Sequence, residues 1–190
     1  MITQVTGAED APPFSRVVPL ADVGLSGTTV TLTASPTERQ ALAEAFDLVD
    51  LPSFEATLTV KPWTAHGYRV EGRVVATVVQ SCVVTLEPVE NTVDEALDVK
   101  FVPASEIAKF EPKHNEEGEI ELDAETLDIP DVLDGDGIDV GVLAAEHLAL
   151  GLDPYPRKPG IAFDPDAFGL APPADEKISP FAALAQLKKD

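Results

Sequence analysis

The apolar positions of this chain change period several times, and each change marks an element. In "TTVTLTA", Val30, Leu32 and Ala34 alternate with Thr29, Thr31 and Thr33, the two-residue period of a half-buried strand. "SPTERQALAEAFDL" then opens a helix: Ser35 can cap it, Pro36 suits its first position, and Glu38 completes a capping box. Leu42, Ala45, Phe46 and Val49 fall on one face of that helix, which should pack on a sheet. Upstream, Phe14, Val18 and Leu20 suggest a strand interrupted by Pro19.

The central third reads as antiparallel β. Phe54, Ala56, Leu58 and Val60 alternate with Glu55, Thr57, Thr59 and Lys61, so one face is wet. After the turn-like "TAHG", alternate positions from Tyr68 through Gly72 to Val78 continue the apolar face, with Arg69, Glu71 and Arg73 opposite. From Val74 to Val84 apolar residues occupy both faces, which predicts a more buried strand or one that bends. Val93, Leu97, Val99 and Phe101 alternate with Asp94, Asp98 and Lys100 in a further strand. Short links and polar outer faces predict an α+β fold with an antiparallel sheet, open or curled into a partial barrel, and two or three packed helices.

"IDVGVLAAEHLALGL" predicts a second helix, capped by Asp139, stopped near Gly151, with Val140, Leu143, Ala144 and His147 on one stripe. "DPYPRKPGIAFDPDAFGLAPPADEKI" follows, a proline-rich extension without long regular structure. "SPFAALAQLKKD" starts a short amphipathic helix at Ser179 and Pro180, with Phe181, Leu184 and Leu187 broadly on one side. So short a helix needs a groove, in its own core or on a partner. The expected division is one domain over 1–175 and the short helix over 176–190.

Charge changes the picture most. Thirty-four Asp and Glu against 13 Lys and Arg give a formal charge of −21. Nucleic-acid binding draws its affinity from neutralised phosphates, so a broad RNA contact is disfavoured and basic proteins are favoured. Twelve of the acidic residues fall between 103 and 136, an acidic excursion with Glu116, Glu117, Glu119 and Glu121 at its centre and a short strand at Ile120 and Leu122. Such a run is either a solvated loop or an arm for a basic partner. Apolar runs fall short of the roughly 18 residues of a membrane span, and the N-terminal segment lacks a signal-peptide pattern. The expectation is a soluble cytoplasmic protein.

Candidate chemistry is thin. The lone cysteine, Cys82, could act as a nucleophile only beside a histidine, and His66, His114 and His147 carry no recognisable catalytic context. The same scatter argues against a zinc site, and packing inside or at the end of a strand is the expected role of Cys82. "DGDG" at 134–137 lacks the spacing of a calcium loop and predicts a turn. Phosphate-binding, dinucleotide-binding and nucleophile-elbow motifs are lacking, so no enzyme, cofactor or metal is expected.

"VEGRVVATVVQSCVVTLEPVENTVDEALDVKFVP", Val70 to Pro103, resembles the YceD family, the large ribosomal RNA subunit accumulation group. The residues that carry this are Gly72, Cys82, Leu86, Glu87 and Pro88, then the strand from Val93 to Phe101. The acidic middle, "DVGVLAAEHLALGLDPYPR" and "SPFAALAQLKK" agree in order and spacing, extending the resemblance from about Val30 onward. It implies a non-catalytic part in accumulating or assembling large-subunit ribosomal RNA. It also implies a basic ribosomal protein or a large-subunit assembly intermediate as partner, because the family's gene often neighbours that of such a protein. Many members carry C-x-x-C-L-x-P; here Thr85 replaces the second cysteine, so paired-cysteine chemistry does not carry over. Two other readings stay open: an RNA-binding sheet face at Tyr68, Arg69 and Arg73, and an enzyme using Cys82.

Overall fold

The structure is a computed structural model, and it describes residues 11–110 and 129–161. Chain contacts divide the protein into two units, 1–158 and 159–190. Only Pro159 to Ile161 are described in the second, so the expected terminal helix, with Phe181, Leu184 and Leu187, lies outside the described residues. Glu116, Glu117, Glu119, Glu121, His114 and the expected strand at Ile120 and Leu122 lie outside them too.

The first unit is α+β. Its strands are β1 (Val17–Pro19), β2 (Thr28–Thr33), β3 (Asp50–Pro62), β4 (Tyr68–Ser81), β5 (Pro88–Pro103), β6 (Asp131–Leu133) and β7 (Gly137–Asp139). The main sheet has the order β2-β3-β4-β5-β6, antiparallel except that β6 runs parallel to β5. Strands β2 and β6 end the sheet unpaired with each other, so it is open rather than curled into a barrel. β1 and β7 form a separate two-stranded ribbon.

Both helices start where side-chain oxygens replace missing backbone partners. Helix α1 (Pro36–Ala45) has the full capping box of Ser35 and Glu38. Helix α2 (Val140–Leu150) is capped by Asp139, which accepts from the amides of Gly141 and Val142. α1 packs on β3 and α2 on β4 and β5. Leu42, Leu143, Ala144 and Leu148 meet Leu58, Val74, Ala76 and Val93 in one core. Phe14 packs edge-on against Phe54, ring centroids 5.2 Å apart.

Two local expectations are corrected. α1 ends at Ala45, and Asp47 turns left-handed with φ of 53°, so Val49 leaves the helical face and is exposed. The apolar double face of β4 does not mean two-sided burial. Val74, Ala76 and Val78 are buried, whereas Val75 is 43% exposed, because among the described residues nothing covers the outer face of the sheet.

Candidate functional site

The fold brings together two segments that are far apart in the chain. β4 ends at Ser81, and the chain reverses through 82–87 before β5. The Cys82 amide donates to the Glu87 carbonyl at 2.8 Å, and the Leu86 amide to the Cys82 carbonyl at 2.9 Å. Closing so tight a turn puts Leu86 at φ of 60°, a left-handed conformation that costs a non-glycine residue about 1 kcal/mol or more.

The 153–158 segment lies against this turn. The Val83 amide donates to the Pro156 carbonyl at 2.9 Å, and the Lys158 ammonium meets the Glu87 carboxylate at 2.8 Å. That contact lowers the Glu87 pKa and raises that of Lys158. Gln80, the one polar residue buried in the described core, donates to the Asp153 carbonyl at 2.9 Å and takes a bond from Asn91 at 3.4 Å. Beside it, an opening of about 430 Å³ is lined by Phe46, Leu152, Pro154 and Pro156 among others.

Cys82 sits inside the turn, fully buried. The Thr85 hydroxyl, then the amides of Lys158, Thr85 and Val84, donate to its sulfur and bring its pKa from an ordinary 9.0 down to about 6. Thr85 thus serves as a hydrogen-bond donor to Cys82. The thiolate is an acceptor that ties the turn to the 153–158 segment. Among the described residues, no group of three or more His, Cys, Asp or Glu side chains gathers to hold a metal. His66 pairs instead with Glu106 at 2.9 Å, and His147 bonds within α2 to the Leu143 carbonyl.

The depressed thiol has a sign that can be checked. A folded pKa below the unfolded one stabilises the fold fully above 9, and the contribution disappears as pH falls through about 6. Alkylation of native protein is expected to be slow, through burial, and flat from about pH 7 to pH 9, where an unperturbed thiol gains roughly fiftyfold. A labelling rate that climbs by the roughly fiftyfold of an unperturbed thiol across that range would contradict this turn geometry.

Gly72 lies on the core face of β4, opposite Leu58 and Leu97. A Cβ there would come 2.1 Å from the Thr57 carbonyl oxygen. Leu86 belongs to the turn itself and Pro88 opens β5, and Leu86 is exposed together with Val83 and Tyr155.

The outer face of the sheet is a lattice of opposed charges. Arg69 grips Asp98 with two bonds of 2.7 and 2.5 Å and also reaches Glu71 at 3.0 Å. Arg73 holds Asp94 in the same two-pronged way, and Lys61 holds Glu71. These contacts lower the pKa values of Asp94 and Asp98. Tyr68 packs on the core side instead, so it does not share a face with Arg69 and Arg73.

These features define an α+β protein with an open sheet, whose distinctive part is a cysteine turn clasped to a proline-rich segment. The chain belongs to the YceD family, described as Large ribosomal RNA subunit accumulation protein YceD, which it matches over residues 70–188. That range takes in the whole cysteine turn and the 153–158 segment and leaves β1 to β3 and α1 outside it. Neither a curated protein nor a solved structure matches the chain. The family's description links the protein to accumulation of large-subunit ribosomal RNA. Among the described residues, no helix is long and apolar enough to cross a membrane.

Proposed function

We propose that the protein supports accumulation of large-subunit ribosomal RNA without catalysis, by holding a basic ribosomal protein or an assembly intermediate that contains one. The observation that carries this is the spent charge of the sheet's outer face. Arg69 and Arg73, the cations best placed to meet a phosphate backbone, each already hold a carboxylate at two points. With a formal charge of −21, the long-range field repels RNA and draws in basic proteins.

In this reading 1–175 acts as one functional domain in the cytoplasm, with the 176–190 helix as an accessory. Glu116, Glu117, Glu119 and Glu121 add to the attraction, and Phe181, Leu184 and Leu187 supply an apolar contact. The test is equilibrium binding at physiological salt to purified large-subunit RNA and, separately, to purified basic ribosomal proteins. Binding to the proteins and not to bare RNA is expected. Tight RNA binding with indifference to the proteins overturns the proposal.

A further inference from the structure

β6 is the last strand of the main sheet. One edge pairs with β5, and the other has no backbone partner among the described residues. Between β6 on one side and β7 and α2 on the other runs a groove of about 410 Å³. Val132, Leu133 and Val142 line it over the buried Ile138 and Leu143. Val132 is 49% exposed, a large apolar side chain left at a sheet edge without cover among the described residues. Asp131, Asp134 and Glu146 stand along the groove, all three exposed, and among the described residues no lysine or arginine lines it. Asp139 also borders it but is committed to capping α2.

We propose that this groove is the docking site for an extended, lysine- and arginine-bearing segment of a basic protein. This rests on the partner class argued above and adds a place for it. The edge of β6 that has no partner among the described residues offers main-chain donors and acceptors that an incoming strand can pair with, as in strand addition. An added strand points alternate side chains to opposite sides. One set lies on the side of Leu133 and Asp131 and the other on the side of Val132, with the carboxylates of Asp134 and Glu146 bordering the same groove.

Charge selects this occupant over the others. RNA phosphates meet a row of carboxylates. A second copy of the chain brings a further −21.

The test uses the full chain and a synthetic peptide of about twelve residues alternating arginine and valine, with its glutamate-for-arginine counterpart as control. One variant combines Asp131→Asn, Asp134→Asn and Glu146→Gln. A second removes the same charge elsewhere, at the exposed Glu44, Glu55 and Glu90, each changed to Gln. The groove variant is expected to bind the arginine peptide at least about tenfold more weakly, and the second variant within about twofold of the parent, as for loss of close rather than distant charges. Amide resonances of Val132, Leu133 and Val142 should shift on titration. Equal losses in both variants, or unchanged binding in both, overturn the groove.

The wider reading fails differently. If the parent chain binds no basic ribosomal protein, the proposed function itself falls. If the groove variant still binds such proteins as tightly as the parent, the groove falls and that function stands.

Discussion

Gly72→Ala is expected to destabilise the protein by about 3 kcal/mol or more, at the upper end for a small overpacking change. The reason is space rather than backbone freedom. Gly72 faces the core at the middle of β4, where a methyl group would sit 2.1 Å from the Thr57 carbonyl oxygen and 2.8 Å from the Leu58 side chain. The first of these is backbone of the paired strand β3 and cannot swing aside. Relief requires β3 and β4 to separate, and their register runs from Asp50 to Tyr68 across the centre of the sheet. Urea unfolding measures the loss, with Gly24→Ala as the companion, since a Cβ at Gly24 meets nothing within 4 Å. A shift below about 1 kcal/mol at Gly72 would mean that the strands are farther apart than described here.

Asp139→Ala comes second, with an expected loss of about 2 to 3 kcal/mol, more than an ordinary cap because the carboxylate serves both α2 and the entry to β1. It accepts from the amides of Gly141 and Val142 at the start of α2, from the Arg16 amide at 2.8 Å, and from the Ser15 hydroxyl. Removing it leaves the N-terminus of α2 and the entry to β1 unsatisfied together. Burial pushes its pKa up, but the Ser15 hydroxyl and the amides of Arg16, Val142 and Gly141 outweigh this and hold it below 3.8. With a folded value under the unfolded one, the contribution is present above 3.8 and is lost as pH falls through the folded value. The gap between parent and variant in chemical unfolding should therefore narrow in acid. Asp139→Asn should recover part of the loss, since asparagine also caps. An equal gap at all pH values would assign the effect to packing.

Local signals were readable along the chain because their partners are near. Ser35 and Glu38 announce α1, Asp139 announces α2, and alternation places Leu58 and Val60 inside. Gln80 could have been found too. It continues the buried series Val74, Ala76 and Val78, and a polar residue at such a position needs a partner. The RNA-face reading failed on the same rule: Tyr68 and Arg69 are neighbours in a strand and must point to opposite sides.

Other features depend on distant partners and leave no local trace. No periodicity says that Lys158 donates to Cys82, that β6 runs parallel to β5, or that β1 pairs with β7. The spacing at Cys82 and Thr85 did exclude a cysteine pair. It could not show that the threonine helps to hold a thiolate.

The pairing of β1 with β7 has a consequence for how the protein is made. β2 to β5 are each joined to their neighbour in sequence order and can close one after another as the ribosome extrudes them. β1 emerges before all of them, yet Val17 waits for Asp139, and the Arg16 amide meets its acceptor 123 residues later. The first of the described strands to be synthesised is thus among the last to be satisfied. Until then the nascent chain carries β1 without its partner strand.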